Sequence, residues 1–468
     1  MKRLQLRNFD SKILKVATIA ILGPFMTSLD STVVNIALPV LSREFNASVN
    51  EIQWIISGYL LALALTLPMS GWLVDKLGAK KVYLWCFTAF TLSSVLCGTA
   101  NSSSSLIFYR VLQGMAGGLL APMAQMMIAR VAGKRLADIM GIIVLPVLLA
   151  PILGPVVAGV ILQHTSWRWL FYLNLPIGLV ALIAAIVLLP KDEKELLDPR
   201  PFDFRGFFLL SPGLALLLFG MENASTHGGL RSLIVGASLL GGFFWHTRHT
   251  KTMPIIDLQL FRSKIFLTAS ITQFIANGVT FSGQMLIPLY LMSECHLSAQ
   301  ETGLLIVPMG LGMMITYPFI GFFNRRFGCR LVSAGGALIS LLATLPLVWM
   351  AEHGLVKWVL NIALLMRGIG LSGINIPSMA AAYGSVPRRK LPIVTTTINI
   401  IQRIGGPIAT TVLAVYMGQR QSSDVFTEAF IFLCGIQLAN FIAACFLPAR
   451  VSHETNESDL QAIEALTD

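Results

Sequence analysis

KVATIAILGPFMTSLDSTVVNIALPV, residues 15–40, is a run of apolar and small side chains with one acid, Asp30, near its middle. As a helix it is long enough to cross a bilayer, which takes about 20 residues. A charged side chain at that depth costs about 3 kcal/mol on insertion scales, and such residues usually mark ion or substrate pathways. The rest of the chain repeats the pattern without the acid. Its 468 residues are 55% hydrophobic and 12% charged, with a mean hydropathy of +0.73. A soluble protein carries about twice that charged fraction. Apolar blocks of about 20 residues, separated by short polar stretches, predict an all-α polytopic membrane protein and not a barrel of alternating strands.

Other classes fall away on composition. The net charge of +11 reads as loop cations that set membrane orientation, not as a nucleic-acid footprint. Cys86, Cys97, Cys295, Cys329, Cys434 and Cys445 have no metal-ligand spacing and read as packing residues. No Gly-rich loop ends in Gly-Lys-Ser/Thr, so nothing points to ATP. The basic segment Met1–Lys15 precedes an apolar run longer than that of a secretory signal, so the first span is expected in the mature protein.

About fourteen spans are predicted, at 15–40, 51–74, 82–99, 105–129, 138–162, 169–189, 206–223, 230–247, 265–292, 301–323, 331–350, 357–383, 391–417 and 425–447. An even count places both termini on one side. Of 34 Lys and Arg, the loops opposite the termini carry only Arg43, Arg168, Arg231, Lys357 and Arg420. Positive charge stays inside, so both termini are predicted to be cytoplasmic. A repeat is visible. Gly71-Trp-Leu-Val-Asp75-Lys-Leu-Gly78-Ala-Lys80-Lys-Val82 is echoed by Gly321-Phe-Phe-Asn-Arg325-Arg-Phe-Gly328-Cys-Arg330-Leu-Val332, and Arg110 by Arg367. Parallel six-helix halves follow from such a repeat. The expected organisation is a cytoplasmic N-terminus (1–14), a first six-helix bundle (15–189), a cytoplasmic linker (190–205), an inserted helix pair with its flanking loop (206–264), a second bundle (265–447) and a cytoplasmic tail (448–468). Within that tail, Leu460–Leu466 could form a short surface helix.

On a helix, Asp30 shares its face with Met26, Thr27, Val33, Val34 and Ala37, while Asn35 points away. Burial raises a carboxylate's pKa and a nearby cation lowers it, so such an acid can carry a proton across. It could equally hold a helix pair through a buried hydrogen bond. In the fourth span, Arg110, Gln113, Gly114 and Gly117 form one stripe. The glycines permit close helix approach, and a guanidinium there can tune an acid or bind an anion, unless it snorkels to the interface. The fifth span carries Gly141, Pro146, Ala150, Pro151, Gly154, Pro155, Ala158 and Gly159, a kinked and closely packing series. In the loop after the second span, Asp75 can cap a helix or pair with a cation, Gly78 permits the turn, and Lys76, Lys80 and Lys81 are expected to face anionic lipid. Arg325 replaces Asp75 in the second copy. Trp167 and Trp169, in SWRWLFYLNLPIG (166–178), fit an aromatic belt. Arg367 and Arg403 are further cations within spans. Glu222 and Glu294 sit near outer span ends, so Asp30 is the clearly deep acid. Three arginines against one acid lean the interior toward neutral, zwitterionic or anionic amphiphiles.

Taken in order, Leu29–Pro39, Gly71–Lys81, Arg110–Gly118, Gly141–Gly159 and Ser166–Gly178 resemble the motifs of the fourteen-span drug:proton antiporters of the major facilitator superfamily. Ala150 and Ala158 stand where the family's antiporter motif has glycine. The resemblance implies a fold of two six-helix halves plus an inserted pair. It also implies a transporter rather than an enzyme, exporting amphipathic drugs or toxic compounds across a bacterial plasma (inner) membrane by alternating access. Protons are the coupling ion, with no other cofactor and no metal. Proton coupling is expected at Asp30 and Arg110, and the substrate cavity at Asn35, Gln113, Arg367 and Arg403. Gly71, Asp75, Gly78 and Lys80 are expected to gate, and Gly141, Pro151, Gly154, Pro155 and Gly159 to seal against proton leak. The expected partners are a small-molecule substrate, protons and membrane lipid, with no nucleic acid. A monomer is expected, and a periplasmic adaptor stays open. A dedicated exporter of one metabolite, such as an amino acid, sugar derivative or siderophore, would share every motif. A sensor that kept the fold but lost transport would be expected to carry large soluble loops, which this chain lacks.

Overall fold

The computed structural model describes residues 11–132, 135–190, 192, 201–223, 226–250, 254–418 and 424–449. The termini, including the Leu460–Leu466 expectation, and most of the linker lie outside these residues. All regular elements among the described residues are helical.

The first half runs α1 (Ser11–Glu44), α2 (Val49–Thr66), α3 (Ser70–Leu77), α4 (Ala79–Gly98), α5 (Ser103–Ala132), α6 (Leu136–His164), α7 (Trp169–Tyr172) and α8 (Asn174–Leu188). A short 3₁₀ turn, Leu67–Met69, carries Pro68 and joins α2 to α3 as one span. The inserted pair is α9 (Phe204–Glu222) and α10 (His227–His249). The second half runs α11 (Lys264–Ser293), α12 (Ala299–His353), α13 (Lys357–Gly384), α14 (Leu391–Gly418) and α15 (Val425–Cys445).

The helix α12 covers two predicted spans. Its helical dihedrals break at Gly328 (φ 81°, ψ 162°), close to those of Gly78 (φ 91°, ψ 152°) between α3 and α4. Positive φ at such values is reserved for glycine. Gly312 stands against Leu365 and Ile369 of α13, and Gly336 against Gly370 and Gly373. A straight helix would separate Gly312 from Gly336 by about 36 Å. The chain therefore turns back at Gly328, as it does at Gly78, and α12 supplies two spans. Fourteen spans result, and the paired glycines give the sequence repeat its structural meaning.

The second-span loop differs from expectation in one respect. Lys80 does not face lipid. Its ammonium donates to the carbonyls of Ile186 (2.9 Å) and Leu189 (2.6 Å) at the end of α8, where unpaired carbonyls and the helix dipole attract a cation. The Asp192 carboxylate in turn accepts from the Lys80 (3.0 Å) and Lys81 (3.3 Å) backbone amides at the start of α4. Lys76 stacks over Trp72 at 4.8 Å.

The inserted pair bridges the halves. Phe219 of α9 stacks on Trp54 of α2, with ring centroids 5.8 Å apart. Thr411 of α14 donates to the Met221 carbonyl at 3.4 Å. Leu210, Leu214 and Phe243 form one buried cluster with Leu67 and Ile400. Asp203 caps α9 and meets His246 of α10 at 2.9 Å. On the outer surface, Trp85, Phe108, Ile183, Trp245, Leu331 and Trp358 are exposed, the apolar coat a bilayer covers. Trp169 shares that surface. Trp167 does not, because it is buried against Phe45 and Phe171.

Candidate functional site

The two halves clasp at one end. Asp138 at the start of α6 forms an ion pair with Arg325 of α12. Ser70 meets Thr396 at 2.7 Å. Gln125 of α5 accepts from Tyr383 (3.1 Å) and from Asn399 (2.7 Å). Gly71 packs tightly against the Pro392 carbonyl and Thr396, and Gly141 faces the Tyr317 carbonyl so closely that no side chain fits there. This end also holds Gly78, Gly328 and both described chain ends. Tyr83, just beyond Gly78, bonds the Ile19 carbonyl of α1, and Arg330 and Cys329 bond the Leu447 and Pro448 carbonyls. At the other end a cavity of about 810 Å³ opens along α1 and α2, lined by Asn35, Leu38, Arg43, Ile52, Gln53 and Leu60. Arg325, which could not supply the acid of Asp75, instead supplies a cation to the opposite half. Its side chain is 51% exposed, so the pair contributes about 0.5–1 kcal/mol to the clasp. Asp138→Asn is expected to raise the population of the unclasped form a few-fold, and Asp138→Arg with Arg325→Asp to restore it. The alkylation rate of a cysteine placed at the buried position Thr396 measures both.

Deeper in the first half, away from this clasp, lies a closed polar network. Asp30 of α1 is 2% exposed and Arg110 of α5 is 0% exposed. Arg110 Nη1 reaches Asp30 Oδ2 at 2.6 Å and Gln113 Oε1 at 2.7 Å. Asp30 Oδ1 accepts from Gln113 Nε2 (3.0 Å) and Asn174 Nδ2 (2.8 Å). Arg110 Nε donates to the Ile55 carbonyl at 3.2 Å, and the guanidinium lies 4.0 Å over the Tyr59 ring. Asn174 also donates to Ser94 at 2.9 Å. Five helices thus contribute to one network around the carboxylate. A buried pair without such partners would be disfavoured, because desolvation exceeds the Coulomb gain unless the remaining donors and acceptors are satisfied. Three donors already occupy the carboxylate, two on Oδ1 and one on Oδ2, so a proton arriving at Asp30 competes with them for its lone pairs. Arg110 does not snorkel.

The second half carries a copy without the acid. Arg367 donates to Thr344 (2.6 Å) and to the Val279 carbonyl (3.2 Å), and Gln437 donates to Thr344 (3.0 Å). Gly283 of α11 faces the guanidinium so closely that a side chain there would overlap it. The repeat therefore preserved the arginine and its hydroxyl and amide neighbours, with glycine against the cation.

Several expectations are revised by placement. Gln113 and Arg367 are fully buried within their own halves and line no described cavity, because each is occupied by hydrogen bonds inside its bundle. Asn35 lines the cavity, and Arg403 is partly exposed. In α6, Gly141 meets α12 and Gly154 packs on Thr32 of α1. Pro155 is exposed, and nothing lies within 4 Å of a side chain built at Gly159, so these two point away from the contact. The side chains of Pro151 and Glu222 lie outside the described residues. Sequence reasoning missed Tyr59, Ser94, Asp138 and Asn174. Asn174 stood inside a quoted motif, and its asparagine at a span boundary was the available signal. Nothing in the sequence distinguished Tyr59.

Comparison with known proteins adds the following. The family model described as Major Facilitator Superfamily matches residues 20–410 and again 269–465. The multidrug resistance protein B homolog of Mycobacterium tuberculosis (strain ATCC 25618 / H37Rv) is 32% identical over 429 residues, covering 90% of this chain and 79% of the relative. The putative multidrug resistance protein MdtD of Serratia proteamaculans is 28% identical over 419 residues, covering 87% and 86%. Among solved structures, the human organic anion transporter MFSD10 superposes with a TM-score of 0.66 at 17% identity, covering 93% of this chain and 100% of that one. The proton:xylose symporter XylE superposes with 0.65 at 13% identity, covering 92% and 95%.

Proposed function

This chain belongs to the Major Facilitator Superfamily, and from that premise we propose that it is a proton-coupled antiporter. It exports amphipathic small molecules across the plasma membrane, with both termini in the cytoplasm. The loop cations support that orientation, and the names of the relatives support a multidrug-type substrate range.

The observation that carries the coupling is Asp30, buried against Arg110 in a network spanning five helices of one half. In this reading the clasp lies on the cytoplasmic side, and the clasped form is the outward-open one. Substrate leaves from this form and a proton reaches Asp30 from outside. Protonation neutralises the carboxylate and releases Arg110 and Asn174, which lets α5 and α8 shift against α1. The clasp opens, the proton leaves to the cytoplasm and substrate enters. Two states differing in the partners of one charged pair are what a coupled equilibrium needs. No cofactor takes part, and the proton is the coupling ion.

Efflux of a fluorescent amphiphile from proteoliposomes tests this. An inward-directed proton gradient is expected to drive export, and a protonophore to stop it. Export indifferent to the protonophore would refute the reading.

A further inference from the structure

The cavity along α1 and α2 carries one cation and no acid on its walls. Arg43, in the last turn of α1, and Gln53, near the start of α2, stand at its outer end, farther from the clasp. Asn35 and Leu60 line its inner end. Asn35 precedes Arg43 by eight residues, about 12 Å along a helix. Two acids flank Arg43 in the chain, and both are turned elsewhere. Glu44 pairs with Arg168 at 3.7 Å, and Glu51 accepts from Ser103 of α5. Arg43 itself is exposed and has no ion pair among the described residues. A guanidinium keeps its proton, and the carbonyls at the end of α1 set only about half a charge against it. The outer end of the cavity is therefore positive. Behind it, Leu38, Ile56 and Leu60 form an apolar wall.

We propose that this cavity holds an anionic amphiphile, its carboxylate or sulfonate on Arg43 and its apolar body inward along Leu38, Ile56 and Leu60. This rests on the transport function above and narrows its substrate class. The volume, about 810 Å³, lies within the range of about 300–1,000 Å³ that encloses a drug-sized ligand. The guanidinium donates to an oxyanion in charge-assisted hydrogen bonds, and the Gln53 amide supplies a further donor at the same end. A cationic amphiphile would meet like charge there, with no carboxylate in the walls to offset it. Bound this way, the substrate leaves head first.

Protection of a thiol inside the cavity tests this. Ser57 lines the space, and Ser57→Cys in the full chain, held in an uncharged detergent, is alkylated with N-ethylmaleimide and scored at that site by peptide mass spectrometry. Three probes of one shape compete: 1-pyrenebutyrate, 1-pyrenebutyramide and 1-pyrenebutylammonium. The butyrate is expected to protect at about fivefold lower concentration than the other two, a modest preference because Arg43 is exposed. Arg43→Gln should abolish the difference, and Arg43→Lys should keep part of it. Comparing each probe with and without Arg43→Gln cancels its partition into the micelle. Leu60→Trp, at the inner end, should weaken protection by all three alike. Thermal melting establishes that each variant is folded, and the ranking of the probes on the Ser57→Cys protein alone already tests the preference. Better protection by the ammonium, protection by none of the probes, or a butyrate preference that survives Arg43→Gln would each overturn the proposal. No proton gradient is present in these titrations. Failure of the anion site is therefore read separately from failure of proton-driven transport, which the proteoliposome assay measures.

Discussion

Asp30→Asn is expected to lose gradient-driven export down to background while the protein still inserts and folds. The change keeps the volume and one acceptor oxygen but removes the charge opposite Arg110. Arg110 keeps neutral oxygens, those of Gln113 and Ile55 among them, but loses its anion, and an uncompensated buried charge costs about 3–5 kcal/mol. Lower stability alone could then mimic lost coupling. Asp30→Asn with Arg110→Gln separates the two effects. The double variant removes both charges and should regain most of the lost stability, because breaking one side of a buried pair costs more than removing the pair. Driven export should remain absent in it. Thermal melting and proteoliposome efflux, measured side by side, check both expectations. Recovery of driven export in the double variant would take Asp30 out of the coupling step.

The second large effect is expected at Gly141. Its α-carbon faces the Tyr317 carbonyl across the clasp, and any side chain would drive into that backbone oxygen. A main-chain atom on a packed helix cannot swing aside, so Gly141→Val should force α6 and α12 apart. Overpacking strain of about 2 kcal/mol converts to about thirtyfold in the ratio of clasped to unclasped molecules. The variant should therefore favour the form open toward the termini and should transport poorly. Thr396, 1% exposed and bonded to Ser70, reports the change. A cysteine placed there should be alkylated much faster in the Gly141→Val background, with the modified site scored by peptide mass spectrometry. An unchanged rate would mean that the Gly141 contact does not hold the clasp. Asp138→Asn weakens the same clasp by a smaller amount, and the two changes should act in the same direction.

Much of the architecture could be read from the chain, for identifiable reasons. Hydrophobic length and loop charge report on single segments, and each span is nearly independent of its neighbours in these properties. The repeat was legible because the same backbone turn is needed twice. Gly78 and Gly328 share a conformation open to glycine alone. Asp30 and Arg110 stood out because charge is rare at that depth. What the sequence could not provide was the third dimension. Gln113 and Arg367 carry the polarity expected of a cavity wall, yet each turns into its own bundle. Helical phase fixes which residues share a face, but not which neighbour covers that face. Nothing local marks Tyr59 among the eight tyrosines or Ser94 among the serines, and only packing brings them to the charged pair. Lys80 looked like a lipid-facing cation because the end of α8, more than a hundred residues away in sequence, is not visible from its own loop. Asp138 and Arg325 likewise became partners only once the halves met.

Proton movement itself is the most direct measurement. Proteoliposomes that enclose a pH-sensitive dye, with no initial gradient, should show a change in internal pH when a substrate gradient is imposed. Protons should move opposite to the substrate, so that internal pH falls as substrate leaves and rises as it enters, and the change should be absent with Asp30→Asn. Substrate flux with no accompanying pH change, or an equal pH change in the Asp30→Asn protein, would contradict coupling through the buried pair.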